Sequence, residues 1–444
     1  SGDNSRTAAQ AQNPATPWKT APGMFGVWTA LTGSWVETST NLWTATSPIT
    51  YPYHVRLGAT ARSQYQAVTN WKGQWAESTT YLLNNRVVGP DGKWYRCLLT
   101  HTSGTFSADL AANRWEESFV QHIITGASSN IITIYSVGNP SVVNDEVYVA
   151  KGADDGTRPG YTRAAGDVFV FKGGVTWGST VVPLLVLWSG DSGAPVTYMG
   201  GQRCGAAGSL SCNGGVAWGT GYPVFDGADN GMFGTSGIIQ MSSKSYIAVD
   251  GIKITGAGDL FTGGGYGIKV SGGSGITVKN CWLEPNGVNG FAYSTVAGSA
   301  SAIYFHDNVI KKAGRVHFDM LDNTIDDVQI YNNVMYGSAA DWVSQGYHGD
   351  GIMTGADGVG GHKATNLRIY NNKFLGDWSN SATAFIYLNG SSGHYGWNNA
   401  WIYNNVMTTE NTSGLALSPG AVVVWNIHSN VKIFNNTIDM RSNV

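Results

Sequence analysis

Two triplets carry the residue types best suited to chemistry in this chain of 444 residues: His317-Phe318-Asp319 and His348-Gly349-Asp350. Their offsets agree, since 348 − 317 = 31 and 350 − 319 = 31. Residues i and i+2 of a strand point to the same side, so the His and Asp of each triplet share a face. If the two strands stack in that register, His317 lies beside His348, and Asp319 beside Asp350 at ~4.8 Å. Two carboxylates at such a spacing suit a retaining glycosidase, one ionised as nucleophile and the other kept protonated by its neighbour's charge. Oxygen ligands so placed suit Ca2+ equally well, and the pattern leaves the two open. The expected catalytic residues are therefore Asp319, Asp350, His317 and His348. No metal ligand is assigned and no cofactor is required, with Ca2+ kept as an alternative.

A second chemistry uses the same stretch. β-Elimination from a uronate needs a base near the C5 proton and a cation to neutralise the carboxylate, and Lys311, Lys312, Arg315, His362 and Lys363 all fall there. Aromatic residues in the same coils are candidate platforms for sugar rings: Tyr293, Trp342, Tyr347, Trp378, Tyr387 and Trp397. GGGYG at 263–267 lacks the strand-to-helix setting of a nucleotide loop. GDSG at 190–193 has no matching His and Asp.

The elements that must position these residues are legible as a repeat. VDGIKI, TVKNCWL, YFHDNVI, IYNNVMY, IYNNKFL, IYNNVMT and IFNNTID each read as strand, bend and strand. Aligning Gly251, Asn280, Asn308, Asn333, Asn372, Asn405 and Asn436 gives spacings of 29, 28, 25, 39, 33 and 31 by subtraction. Periods of that length mean stacked coils. Asn suits the bend because it tolerates left-handed backbone angles and its amide can bond the Asn of the next coil. The strand preceding each bend pair lines an open face: GYGIKV, NGFAYS, VHFDML, HGDGIM, AFIYLN and VVVWNI. The longer intervals mark loops, where function tends to sit.

Composition narrows the partner. Charged residues make up 12%, the formal net charge is −3, and Gly numbers 60, a balance of many short strands and tight turns with no basic field for nucleic acid. Seventeen Trp and 21 Tyr suit glycan contact as well as core packing. No apolar run is long enough to insert in a membrane. Of four cysteines only Cys204 and Cys212 are near enough for a local staple, which would argue for an extracellular setting. The chain opens on Ser1 without a signal-like stretch, which suggests processing.

Residues 1–64 read as an arm and adaptor-like segment, 65–119 as a small β module, 120–225 as a connection with opening coils, and 226–444 as the solenoid. In the module, Trp75 and Tyr81 precede Trp94-Tyr95-Arg96-Cys97, His101-Thr102-Ser103 and Trp115. This pattern resembles the carbohydrate-binding-like modules of phage tail proteins, although Gly104-Thr105-Phe106 stands where chitin-gripping modules place a Trp. AGDVFVFKGGVTWG followed by SGDSGAPVTYMGG resembles the opening coils of right-handed parallel β-helix polysaccharide-degrading enzymes, the pectate-lyase-like superfamily and the phage tailspike depolymerases. The resemblance implies an all-β, right-handed parallel β-helix that binds and cleaves a polysaccharide, extracellularly or on a virion tail, with a side-by-side homotrimer as its assembly. A lyase, or a non-catalytic adhesin with the same face, remains the alternative. The last coil runs almost to Val444 without a cap, so that end is expected to need a partner.

Overall fold

The computed structural model describes most of residues 161–440 outside loop segments, among them 228–236, 259–264, 286–288, 295–298, 321–323, 339–348, 357–363, 379–381, 391–395, 411–419 and 426–427. It also describes most of 71–117, parts of 6–24 and isolated strands over 29–57 and 122–150. The chain divides into two units, 1–27 with 153–444, and 28–152.

The larger unit is a right-handed parallel β-helix. Each coil contributes one strand to each of three parallel sheets, here numbered in the order the chain visits them. Sheet 1 has nine strands, from Val168–Phe171 to Ser429–Phe434. Sheet 2 has nine, from Thr176–Trp177 to Thr437–Met440, and sheet 3 has eight, from Leu184–Leu185 to Gly420–Trp425. Alternation explains why these segments form strands. In Ile276–Lys279 the burial pattern reads buried, half-buried, buried, half-buried, with Ile276 and Val278 inside. Successive coils repeat the choice, so Val278, Phe305, Ile330, Ile369 and Ile402 form one buried column.

The bend between sheets 1 and 2 holds two columns rather than the single one expected. Gly251, Asn280, Asp307, Asn332, Asn371, Asn404 and Asn435 all adopt positive φ. The next residue turns inward: Asn308, Asn333, Asn372 and Asn405 are buried. Each Nδ2 in this inner column donates to the Oδ1 of the next Asn at 2.9–3.1 Å, ending on Asn436. Gly251 and Asn280 thus belong one place earlier than the repeat alignment put them. Cys281 occupies the inner place in its coil, its N–H donating to Asn308 Oδ1.

Outside sheet 1, His306, Tyr331, Tyr370, Tyr403 and Phe434 stack in register, centroids 4.5–5.1 Å apart and planes within 5°. Beside them Arg368 and Lys432 lie 4.2 and 4.8 Å from the Trp401 ring. Higher on the same sheet a loop closed by the Cys204–Cys212 disulfide docks on buried Asp250, through Arg203 at 3.3 Å and the Ser209 hydroxyl at 3.0 Å. Cys97 and Cys281 are buried thiols.

The segment expected to be an arm packs on the solenoid where it is described. Met24 is buried in the solenoid core and bridges to Leu184, and Trp18 meets Tyr161 edge-on at 5.4 Å. In the smaller unit, strands before and after the 65–119 module pair with each other: His54–Leu57 with Val147–Ala150, and Leu42–Ala45 with Ile131–Ser136. The module is therefore inserted into a second β structure. Its aromatic residues Tyr81, Tyr95 and Trp115 form its core, with Trp75 and Phe106 packed against them.

Candidate active site

The open-face strands named from sequence are those of sheet 3, but their register departs from the triplet alignment. Val316–Met320 pairs with Asp350–Ala356 so that Val316 faces Asp350 and Asp319 faces Met353. The offset is 350 − 316 = 34, not 31. The strands also skip one residue each at matched places, Gly267, Gly290, His317, Gly351 and Phe385, which leaves the offset between partners unchanged but moves the next outward residue from i+2 to i+3, as in Tyr266 and Lys269. In this register HGDG places Asp350, not His348, at the strand's first rung. Asp319 and Asp350 are thereby separated by three residues along the strands, roughly 10 Å.

The two acids also differ in surroundings. Asp350 is buried and accepts the Ala384 N–H at 2.9 Å, holding the next strand. Asp319 is half-buried and accepts the Asn289 amide at 2.6 Å. The stacked carboxylate pair is therefore not formed. His317 is fully buried, Nε2 lying 2.8 Å from the Tyr336 carbonyl and Nδ1 3.2 Å from the Asp350 carbonyl. Burial lowers its pKa, opposed by those two carbonyls, and a neutral ring donates to only one of them. It sits against Trp378 inside the solenoid, remote from any substrate on the face. His348, Trp342 and Tyr347 lie outside the described residues, as do His362 and Lys363.

Three of the expected platforms are core residues. Tyr293, Trp378 and Trp397 are buried, their polar atoms bonded to Gly273 O, Leu375 O and the Thr354 hydroxyl. Tyr387 alone among the described candidates stands half-buried on the outer face, in the column of Asp319 and Met353.

What the outer face of sheet 3 does bring together centres on Tyr266–Ser271 and its two successors. Lys269, Ala292 and Asp319 occupy consecutive rungs of one column. Tyr266, Asn289 and Val316 occupy the adjacent column. Because Ala292 has only a methyl group, Lys269 and Asp319 flank a notch two coil spacings across, about 10 Å. Lys269 Nζ lies 4.9 Å from the centre of the Tyr266 ring. Asn289 is almost fully buried, and its Oδ1 has no hydrogen-bond partner among the described residues.

The electrostatics set the two neighbours apart. Burial lowers the Lys269 pKa. Burial raises the Tyr266 pKa, the charge of Asp319 adds to the rise, and Arg315 opposes it. A lysine shifted towards its neutral base thus touches a tyrosine held in its protonated form, the division of labour an acid–base pair requires. Sequence reasoning named this strand but overlooked both residues. Tyr266, Lys269 and Ser271 are the outward residues of this strand, and their spacing breaks the simple alternation read from the sequence.

The cations considered from sequence lie at the margin. Lys311 sits over the rings of Trp282 and Tyr336, at 4.9 and 4.3 Å, and Lys312 pairs with Glu284 at 3.2 Å. Arg315 is exposed beside the first residue of the Val316–Met320 strand, close enough for its charge to act on Tyr266. No cluster of three or more His, Cys, Asp or Glu able to hold a metal occurs among the described residues.

No protein-family model matches the chain, and no curated protein does. Among solved structures it is similar to the alginate lyase from Paenibacillus sp. str. FPU-7, with 16% sequence identity and a TM-score of 0.31, over 64% of this chain and 93% of that one.

Proposed function

We propose that the protein is a polysaccharide lyase acting on a uronate-containing glycan across the outer face of sheet 3. The observation that carries this reading is the contact between a lysine of lowered pKa and a tyrosine of raised pKa, beside a notch floored by Ala292. Lys269, as neutral amine, takes the proton from C5 of the uronate. The C5 electron pair forms the C4=C5 double bond as the C4–O bond breaks. Tyr266 gives its hydroxyl proton to the departing glycosidic oxygen, which stays on C1 of the preceding sugar as the hydroxyl of a new reducing end. The resulting tyrosinate recovers a proton from the Lys269 ammonium beside it, returning both groups to their starting state. Arg315 offsets the uronate charge as electron density moves into the carboxylate.

Asp319 acts through its neighbours. Its charge adds to the effect of burial in keeping Tyr266 protonated, and its carboxylate fixes the Asn289 amide. Tyr387, farther along the Asp319 column, offers a ring to an adjacent sugar. The disulfide supports an oxidising, extracellular setting. The phage-tail setting and the homotrimer rest on the resemblance of the sequence alone.

The test is a panel of uronate-containing and neutral polysaccharides followed by absorbance at about 235 nm and by reducing-end titration. Absorbance rising in step with reducing ends, on uronate polymers only, is the expected result. Reducing ends without absorbance would replace the lyase with a hydrolase. Silence across the panel, with binding retained, would leave an adhesin.

A further inference from the structure

A basic and aromatic corner lies next to the sheet 3 site, on the outer face of sheet 2. The chain leaves sheet 2 at Val309–Ile310 and enters sheet 3 at Val316–Met320, so Lys311, Lys312 and Arg315 stand on the edge the two sheets share. Trp282, half-buried on the strand Trp282–Glu284, has Lys253 Nζ 5.5 Å and Lys311 Nζ 4.9 Å from its ring. Glu284 lies 3.2 Å from Lys312 and 3.5 Å from Lys253. Around Trp282 and Glu284 three lysines, Lys253, Lys311 and Lys312, meet one carboxylate, a local excess of 3 − 1 = 2 in a chain whose formal net charge is −3.

The solenoid does not need this arrangement to stack. In later coils the column of Lys253 and Trp282 continues as Val309 and Val334, which suffice for the same strand pairing. Holding several ammonium groups at one corner costs mutual repulsion that a passing polyanion would relieve. We infer that the corner is an accessory subsite for an acidic glycan, which runs from the notch over Ala292 across the shared edge, its carboxylates on Lys311 and Lys312 and a sugar ring against the exposed part of half-buried Trp282. The inference rests on the lyase reading for the kind of polymer, but its test needs no turnover.

The experiment is affinity gel electrophoresis in a polyuronate and in a neutral glucan, using full-length protein carrying Lys269→Met so that the polymer stays intact. In that background, Lys311→Ala with Lys312→Ala is expected to weaken retardation by the polyuronate about tenfold, the loss of two charge contacts. Glu284→Gln, which frees two lysines and still accepts the Trp282 N–H, is expected to strengthen retardation severalfold. Mobility in the neutral glucan should not change with any of these substitutions. A parent that is not retarded overturns the inference. So does a double variant that binds like the parent, or a Glu284→Gln protein that binds less tightly although its melting temperature is unchanged. Absence of absorbance at 235 nm in the panel assay would remove the lyase reading and leave this binding result standing by itself.

Discussion

The outer faces of sheets 1 and 3 are made by the same coils and look unlike each other. On sheet 1 the rings from His306 to Phe434 repeat from coil to coil, and each covers the next, so between the two ends of the stack the π faces are spent on one another. Beside them Arg368 and Lys432 lie against the Trp401 ring. On sheet 3 the corresponding column reads Lys269, Ala292, Asp319, Met353, Tyr387, with no two residues alike. Repetition satisfies a side chain from within the stack. Where the repeat is broken, unlike charged and aromatic groups are brought side by side, and there the solenoid has chemistry to offer.

The largest expected effect that sharpens this contrast is on the repeating side. Asn372 accepts from both the backbone N–H and the amide of Asn333, and donates to Ile330 O and Asn405 Oδ1, all buried. Asn372→Ala strands several of these groups and should cost about 3 kcal/mol by urea denaturation, without changing the rate per folded molecule. On the non-repeating side, Tyr266→Phe removes the proposed acid and should lower kcat about 100-fold with stability unchanged.

The pH–rate profile gives a smaller and more specific test. Lys269 must be neutral to act, so kcat/KM should rise with pH through its lowered pKa, below the ordinary lysine value of about 10.4. Tyr266 must be protonated, so the rate should fall only above the ordinary tyrosine value of about 10. The optimum is therefore alkaline. Asp319→Asn removes the charge that helps keep Tyr266 protonated and should move the falling limb to lower pH. A falling limb that stays in place would make Asp319 a structural residue only.

The solenoid was legible because its signal is repeated. Strand, bend and strand recur with Asn at most bends, and each open-face segment from GYGIKV to VVVWNI contributes a strand to sheet 3, with bounds that differ by a few residues. The site was much less legible, for a reason of register. One skipped residue per strand, a glycine in some coils and His317 or Phe385 in others, shifts the outward set, and sequence spacing does not show it. His317 therefore looked like a catalytic partner of Asp319 yet turns into the core against Trp378. The aromatic candidates divided similarly. Tyr293, Trp378 and Trp397 were chosen for their place in the coils, but a large ring in a narrow solenoid is at least as useful inside. Tyr266 and Lys269 were passed over because nothing in one sequence distinguishes two outward residues of one strand from ordinary surface.

The most direct test of the account compares Lys269→Met and Tyr370→Ala by initial rate at about 235 nm on a polyuronate and by melting temperature. The account predicts a rate about a thousandfold lower with an unchanged melting temperature for Lys269→Met. For Tyr370→Ala, which breaks the stack between Tyr331 and Tyr403, it predicts a normal rate with about 1 kcal/mol of stability lost. A Lys269→Met protein that still turns over, or a Tyr370→Ala protein that folds normally and does not, would contradict the assignment of chemistry to sheet 3.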